Sequence, residues 1–273
     1  MKEILRTNRL GDLLYLTFPG WELLPGIGHG FSTRLGGFST GPFSTMNLGF
    51  RGGDSPSLVA ANRAHFLGTI WGREEERLFY GEQVHGTQVC VVDRQLIRSK
   101  IQTIPQADAL VTSDKEVLLA GFSADCLLAL FIDLDRRAIG VAHAGWRGTI
   151  NGILSHVVTV MQGQWHSEPG KIHCLLGPCI QPCCYEIGEE VEETAANSPW
   201  SRQIVFKEGL RAGRRHLDLT ETNRQILQES GIKKEHIFAS QYCTCCCEEF
   251  FYSYRRVGGQ PTGSLMGLIF LTG

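Results

Sequence analysis

Short apolar runs rich in Val, Ile, Leu, Phe and Tyr recur along the chain, and this recurrence limits the possible folds most strongly. Runs of this kind that end at Gly, Asp or Ser are typical of β-strands. The sequence therefore predicts strands at Leu13–Phe18, Leu78–Val84, Gln88–Asp93, Ala109–Thr112, Val117–Phe122, Leu127–Leu134, Ala138–Ala142, Lys171–Leu176, Ile237–Ala239, Phe250–Val257 and Leu265–Leu271.

Helical patterns lie between some of these strands. Ser55 and Pro56 have the residue types of an N-cap and a first helical position, and they predict a helix through Trp71. Apolar residues at helical spacing predict a second helix over residues 148–161. A third helix is predicted from a cap at Thr220 to Ser230. Because strands and helices do not alternate strictly, we predict an α/β fold of the mixed α+β kind, with layered sheets and helices, in a single domain over residues 1–273.

The composition is that of an ordinary globular protein, and it argues against several functional classes. Hydrophobic residues make up 42% of the chain, which is enough to form a sizeable core. The formal net charge is −2 and no basic stripe occurs, so we expect no nucleic-acid partner. The N-terminus lacks the apolar run of a signal peptide, and no apolar stretch is long enough to span a bilayer. We therefore expect a cytoplasmic protein with no membrane partner.

The chain contains ten cysteines, several of them in the dense pieces CIQPCC and CTCCC. In a cytosolic chain of this size, cysteines are more often thiols or metal ligands than disulfides. The dense pieces suggest a second metal or an iron–sulfur cluster. However, side chains alternate along a strand, so the adjacent Cys245, Cys246 and Cys247 cannot all face one ion. We expect reduced thiols there, without a catalytic role.

Chemistry is most expected where predicted strands end, because residues at strand ends are held firmly and project into crevices. His85, Cys126 and His143 each follow or end such a run. Two imidazoles and one thiolate suit Zn²⁺, and three protein ligands leave one tetrahedral position open, as in a catalytic site. A bound zinc lowers the pKa of water towards about 7. Copper is possible but less favoured, and the spacing alone also fits strand-capping histidines beside a small core cysteine.

Two neighbours of these residues are candidate catalytic residues. Asp125 precedes Cys126, and its carboxylate could orient an imidazole or carry a proton, although a simple turn carboxylate has the same pattern. Arg147 follows His143 at a predicted helix start, where a guanidinium suits an anion such as phosphate. A surface ion pair is the alternative for Arg147.

Candidate substrate-binding residues come from two places in the sequence. The polar segment HGFSTRLGGFSTGPFSTMNLG could supply Ser32, Arg34 and Asn47, although its composition is also that of an ordinary loop. Gln83 lies two residues before His85 and is assigned to the substrate as well.

These motifs together resemble one known family. The segments QVHG (83–86), ADA (107–109), ADC (124–126), HAGWRGT (143–149), GPCI (177–180), YEIG (185–188), CT (243–244) and YSYRR (252–256) occur in this order. With FSTRLGG and MNLG, they strongly resemble the YfiH/YlmD family, also called the polyphenol oxidase or laccase-domain family, over nearly the whole chain. The CIQPCC and CTCCC cysteines beyond these segments are outside the shared pattern.

The resemblance implies a fold, a metal and a reaction. It implies a single α/β domain related to the catalytic domain of cytotoxic necrotizing factor, and a zinc ion held by His85, Cys126 and His143. It implies phosphorolysis of adenosine, inosine and S-methyl-5′-thioadenosine, and deamination of adenosine to inosine. The implied partners are small molecules, namely a purine nucleoside and phosphate. For these reactions Asp125 is the candidate proton carrier, and Arg147 and Arg34 are the candidates for phosphate.

Other functions use the same ligands. A zinc amidase that edits peptidoglycan is one alternative, since some bacterial members resemble such a factor. A copper-dependent polyphenol oxidase is a second, but the nine histidines are scattered and no His-x-His occurs. A structural zinc in a binding module is the third, and it requires a fourth ligand from Cys179, Cys183 or Cys243.

Overall fold

The computed structural model describes residues 3–115, 117–209 and 213–272 of the chain. Most predicted strands are present within these ranges, with ends that differ by a few residues. The strands are β1 Arg6–Leu10, β2 Leu13–Thr17, β3 Ile27–Ser32, β4 Leu78–Gly81, β5 Val89–Val91, β6 Thr103–Ile104, β7 Ala109–Thr112, β8 Leu118–Ser123, β9 Leu127–Asp133, β10 Ala138–Ala144, β11 His173–Leu176, β12 Phe206–Glu208, β13 Arg215–Leu217, β14 Ile237–Ala239 and β15 Leu265–Leu271.

The helices are fewer and mostly short. They are α1 Pro19–Glu22, α2 Pro56–Trp71, α3 Arg94–Ser99, α4 Trp146–Ile150, α5 Ile153–Trp165, α6 Glu189–Ala196 and α7 Leu219–Glu229. Within the described parts of the chain, no helix has both the length and the apolar character needed to cross a membrane.

Two large sheets organise the strands. One has seven strands in the order β1-β2-β3-β15-β8-β4-β6, and the other has six in the order β14-β11-β9-β10-β7-β5. The short pair β12-β13 forms a separate ribbon. Antiparallel and parallel pairs are mixed in both large sheets, which confirms the predicted mixed α/β class.

The two large sheets pack face to face between outer helices. Along β9, Leu128 and Leu130 contact the inward face of the seven-stranded sheet, whereas Ala129 and Phe131 pack with α5. Along β8, Leu119 faces the six-stranded sheet and Leu118 packs with α2. This alternation follows from the two-residue period of a strand. The order of layers is therefore α2, the seven-stranded sheet, the six-stranded sheet, and α5 with α7.

The prediction of a strand at Phe250–Val257 was wrong. Residues 250 and 254–257 lie in turns, whereas Phe251 and Tyr252 are fully buried in irregular backbone that pairs with no described strand. The backbone of this segment instead bonds within its own turn and to the Asp125 side chain, through the Arg255 N–H at 2.7 Å. An apolar run that is buried on all sides has the same composition as a strand, so composition alone cannot separate the two.

The predicted helix over residues 148–161 is broken into α4 and α5 by Gly152, whose φ of +76° is a left-handed conformation. The Trp200 indole also occupies the space where a side chain at position 152 would lie. The predicted cap at Thr220 was also wrong, because Asp218 caps α7 and accepts a hydrogen bond from the Glu221 N–H at 2.8 Å.

Replacing Gly152 by Ala should destabilise the fold. The added Cβ would lie 2.1 Å from the Trp200 Nε1 and would force a left-handed conformation on a non-glycine residue. We expect a loss of about 1–3 kcal/mol in the free energy of unfolding, measured by urea denaturation. Gly163→Ala in α5 is the matched control, because its Cβ would meet nothing within 4 Å. Equal urea midpoints for the two variants would contradict this account.

Candidate metal centre and cavity

The three predicted metal ligands converge at one edge of the two sheets. His85 lies in the connection from β4 to β5, and Cys126 lies in the connection from β8 to β9. Both connections cross from the seven-stranded to the six-stranded sheet, and His143 lies on β10 of the latter. Their ligand atoms all lie within 4.8 Å of one another, with 3.9 Å between the Cys126 Sγ and the His85 Nε2. The three side chains therefore lie together at one place in the fold, and their role as metal ligands stays a prediction.

Asp108 supports this site, although its sequence pattern assigned it no role. Its Oδ1 accepts hydrogen bonds from the His143 Nδ1 at 2.9 Å and the His85 N–H at 3.0 Å. Its Oδ2 accepts from the N–H groups of Val84 and Gly86. A carboxylate on Nδ1 fixes the imidazole so that its Nε2 is free for a metal. The ADA segment was visible in the sequence, but only the fold brings its aspartate to His143.

The electrostatics favour a thiolate beside a charged or metal-bound imidazole. Burial acts to raise the pKa of the Cys126 thiol, but the adjacent His143 outweighs burial and lowers this pKa. Burial acts to lower the pKa of His143, but the Cys126 thiolate and Asp108 outweigh it and raise this pKa. For Asp108, burial is opposed by the bonds from His143 and the amides, which lower the pKa of the carboxyl. Cys126 is therefore prepared as the anionic form that binds metals.

The donor set fits a zinc ion with an open position. A thiolate and two imidazoles are the ligands that Zn²⁺ prefers, and three protein ligands are typical of catalytic zinc. Among the described residues, no fourth His, Cys, Asp or Glu joins this group. Of the cysteines that a structural zinc would need, Cys179 bonds to Thr220, while Cys183 and Cys243 belong to another group.

A large cavity opens directly above these ligands. Its volume is about 840 Å³, and His85, Cys126 and His143 form part of its lining. One wall comes from the segment after β4, including Gln83, and another from the glycine-rich segment 259–264. A cavity of this size is within the usual range for small-molecule sites.

A buried arginine lines the same cavity and was also missed by sequence reasoning. Arg63 on α2 is 1% exposed, and its guanidinium lies 4.3–4.7 Å from the ring centroids of Phe50, Tyr80 and Phe122. Its charge is partly balanced by Glu75, 3.2 Å away. The cavity therefore has an aromatic wall with a fixed positive charge behind it. An arginine inside a helical pattern is normally a solvated residue, so no sequence signal marks this role.

Asp125 links the loop that carries Cys126 to two other turns by hydrogen bonds. Its carboxylate accepts hydrogen bonds from the Thr244 Oγ1 at 2.6 Å, the Ser253 Oγ at 3.0 Å and the Arg255 N–H. Burial raises the pKa of this carboxyl, although these three bonds act to lower it. Asp125 has a φ of +113°, and it is not among the residues that line the cavity. Its geometry is that of a positioning residue, and its catalytic role stays a prediction.

Arg147 lies at the surface, at the start of α4. Its guanidinium pairs with Glu190 at 3.1 Å and lies over the Trp146 ring at 4.1 Å. Side-chain exposures of 53% and 73% make this a solvent-screened pair. The surface ion pair that the sequence left as an alternative is thus present, and a substrate role for Arg147 stays a prediction.

Of the four candidate substrate residues, only Gln83 lines the cavity. Its side-chain amide bonds to both backbone groups of Phe122, at 2.7 and 2.8 Å, and so joins the loop before His85 to β8. The other three residues have structural hydrogen bonds. The Ser32 Oγ accepts from the Met266 N–H at 2.8 Å, and both residues are buried.

Arg34 and Asn47 also bond within the protein. The Arg34 guanidinium donates twice to the Ser44 carbonyl and lies 5.0 Å from the centre of the Tyr252 ring. Asn47 is fully buried and bonds to the Asp54 carboxylate at 2.9 Å. After β3 ends at Ser32, the rest of this polar segment is therefore a loop held by hydrogen bonds within the protein, as its composition equally allowed.

Asp108→Asn should weaken metal binding. The two carboxylate oxygens of Asp108 accept hydrogen bonds from four N–H groups, whereas the asparagine side chain has only one oxygen that can accept. Loss of such a partner typically costs about 10–100-fold in metal affinity. Competition for zinc with a chromophoric chelator measures this affinity. Asp135→Asn removes the same charge at the surface, where Asp135 pairs with Lys171, and it should leave the affinity unchanged. An unchanged affinity for Asp108→Asn would contradict the assigned role.

Gly145→Ala should weaken metal binding for a steric reason. The new Cβ would lie 2.9 Å from the His85 Cδ2 and 3.0 Å from the Cys126 Sγ, while the φ of −69° suits any residue. We expect a loss of about tenfold or more in zinc affinity with little change in fold stability. The same chelator competition checks it, and Gly163→Ala serves again as control. A variant that binds zinc as tightly as the original chain would show that the site tolerates the displacement.

Comparison with known proteins identifies relatives that match most of the chain. The purine nucleoside phosphorylase YlmD of Geobacillus stearothermophilus is 36% identical over 245 residues, with 88% of each chain covered. A purine nucleoside phosphorylase of Deinococcus radiodurans is 36% identical over 258 residues, covering 93% of this chain and 94% of the relative. The purine nucleoside phosphorylase YfiH of Escherichia coli is 33% identical over 257 residues, covering 94% and 98%.

Solved structures and a family model complete the comparison. The crystal structure of YlmD from Geobacillus stearothermophilus superposes with a TM-score of 0.88 at 32% identity, and each chain is covered fully. The structure of the Bacillus licheniformis protein YfiH superposes with a TM-score of 0.87 at 30% identity, covering 97% and 98%. A family model described as multi-copper polyphenol oxidoreductase laccase matches residues 28–272. The chain therefore belongs to the YfiH/YlmD family, the laccase-like family that this model describes.

Proposed function

We propose that this protein is a metal-dependent purine nucleoside phosphorylase that acts on adenosine, inosine and S-methyl-5′-thioadenosine. The observation that carries the proposal is the open three-ligand set of His85, Cys126 and His143 in the lining of an aromatic cavity of about 840 Å³. The names of the relatives support it, since each is called a purine nucleoside phosphorylase.

The donor set supports zinc as the metal. A bound zinc supplies Lewis-acid character, which stabilises negative charge that develops on a substrate atom. The chain's own contribution is to keep Cys126 as a thiolate and to orient His143 through Asp108. A multicopper oxidase would need many more imidazoles, and among the described residues the groups able to hold a metal contain only His85 and His143.

We assign the base and the phosphate to different walls of the cavity. Phe50, Tyr80 and Phe122 surround the Arg63 guanidinium and provide flat apolar surface against which a purine can pack. Arg51 lies at the exposed rim, 3.6 Å from Glu82, and is the guanidinium we assign to phosphate. Arg51 takes the place of Arg34 and Arg147 in the proposal, because it lines the cavity and they do not.

The reaction balances without another reactant. The C1′–N9 bond of the nucleoside breaks and its electron pair leaves with the purine. A phosphate oxygen forms the new bond to C1′, and the proton of hydrogen phosphate passes to the purine. The products are a free base and ribose 1-phosphate, or the 5-methylthio derivative of ribose 1-phosphate when S-methyl-5′-thioadenosine reacts. The residues that line the cavity hold the two reactants close together, and such positioning lowers the activation free energy substantially.

Deamination of adenosine is the finer part of the proposal. It consumes water and releases ammonia, and it needs a group that moves a proton. Within the proposal we move this role from Asp125 to Glu82, because Glu82 lines the cavity and the Asp125 oxygens are already bonded. Separate assays of ammonia and of free base distinguish this activity from phosphorolysis.

Zinc-loaded protein should release adenine from adenosine and hypoxanthine from inosine only when phosphate is present. His143→Ala should lose the metal and lower turnover by more than about 100-fold. Removing a metal ligand lowers metal affinity and activity at least as much as removing the hydrogen bond that orients this ligand. Liquid chromatography of the bases and of ribose 1-phosphate measures both reactions. His65→Ala on α2 is the control, because His65 bonds to Thr69 and lies outside the cavity lining. Base release that ignores phosphate would make the protein a hydrolase, and no release from any nucleoside would reject the proposal.

A further inference from the structure

Four cysteines outside the cavity form a second cluster. Cys183 and Cys184 lie in the turn after β11, and Cys243 and Cys246 lie in the turn after β14. Their four sulfur atoms all lie within 4.8 Å of one another. The Cys246 Sγ is 3.5 Å from the Cys183 Sγ and 3.3 Å from the Cys184 Sγ. The sulfur atoms of two turns that are far apart in the sequence thus lie close together in the fold.

The separations suit a single metal ion. Four thiolates around one zinc, each about 2.3 Å from it, lie about 3.8 Å apart at the corners of a tetrahedron. In an iron–sulfur cluster the four thiolates are divided among two or more irons, and thiolates on different irons stand farther apart than these four sulfur atoms, which all lie within 4.8 Å of one another. Cys243 and Cys246 also have the C-x-x-C spacing that is typical of structural zinc sites.

We propose that Cys183, Cys184, Cys243 and Cys246 bind one structural zinc ion. The site differs in kind from the cavity site, because four protein thiolates fill a tetrahedral shell and leave no position for a substrate. The Gln181 N–H lies 3.4 Å from the Cys243 Sγ, and an N–H donor of this kind stabilises a metal-bound thiolate. Cys183 and Cys246 are exposed, so a metal can enter from solvent.

The alternation of side chains along a strand does not prevent these four cysteines from facing one ion. Of the adjacent Cys245, Cys246 and Cys247, only Cys246 belongs to the cluster. The cluster draws on turns rather than on one strand, and consecutive side chains in a turn can point to the same side. This holds for the adjacent pair Cys183 and Cys184.

Two arginines near the cluster supply compensating positive charge. Four thiolates and one Zn²⁺ carry a net charge of about −2. The Arg255 guanidinium donates to the Cys184 carbonyl at 3.2 Å, in the first turn. The Arg256 guanidinium donates to the carbonyls of Thr244 and Cys245 in the second turn, at 2.8 and 3.1 Å. Both turns are thus fixed by guanidinium groups that also reduce the charge of the site.

The cluster is connected to the cavity ligands through two residues, Thr244 and Asp125. Thr244 lies between the cluster cysteines Cys243 and Cys246, and its hydroxyl donates to Asp125 at 2.6 Å. Asp125 directly precedes the ligand Cys126. A zinc ion in the cluster would therefore fix the turn that positions the backbone beside Cys126.

Metal content measured on reduced full-length protein tests the proposal. Plasma mass spectrometry should find about two zinc ions per chain in the original protein and about one in the double variant His85→Ala/His143→Ala. Cys183→Ser/Cys246→Ser should also retain about one. Cys247→Ser is the matched control and should retain two, because Cys247 lies in the same segment but outside the cluster. Cobalt loaded into the histidine double variant should give the intense thiolate-to-metal absorption of four sulfur ligands.

Two measurements on the original chain keep the proposal testable if a cysteine variant fails to fold. Titration with an organic mercurial should release a second zinc as four thiols react, and a metal-free sample should bind cobalt with the same tetrathiolate spectrum. A single zinc per chain that is lost in the histidine variant would overturn the proposal. So would a Cys184–Cys246 or Cys183–Cys246 disulfide in anaerobically purified protein without metal.

Discussion

The carboxylate of Asp108 is the contact on which the site depends. It lies where the chain crosses between sheets, after β6 of the seven-stranded sheet and before β7 of the six-stranded sheet. The connections that carry His85 and Cys126 cross at the same edge. Asp108 joins the His85 loop to His143 on β10 through bonds to both. A buried carboxylate with this many donors is stable only when all of them are in place, so the loop and the strand are positioned together.

The fold was predictable wherever one local pattern decided the structure. Strand pattern and cap residues located the central strands and α2, whose observed bounds agree with the prediction within a few residues. Prediction failed where tertiary contacts decided instead. Gly152 breaks a continuous helical pattern beside Trp200, and the apolar run at 250–257 is buried by surrounding loops and bonded to Asp125. The strand β3 was missed because its glycines weaken the strand pattern.

The candidate site was predictable in its ligands but not in its supporting residues. Strand ends and the family resemblance together pointed to His85, Cys126 and His143, and the fold brings their ligand atoms within 4.8 Å of one another, although their role as metal ligands stays a prediction. Polar residues such as Asn47 were assigned to substrate because composition does not show whether an amide bonds to a ligand or to its own loop. Arg63 is the opposite case, because it was not predicted as a site residue and yet its charge lies in the cavity wall. Only the packing of three aromatic rings around it shows this.

A metal ion at this site would link the two sheets, because His85 and Cys126 lie in connections that cross from one sheet to the other. One ion held by these residues and by His143 would join the connections to the six-stranded sheet without any covalent bond. Because such a site forms only when the layers are assembled, metal affinity and unfolding free energy are thermodynamically linked. A free metal concentration a thousand times the dissociation constant adds about 4 kcal/mol to stability. The free metal concentration in the cell would then set how stable the folded protein is.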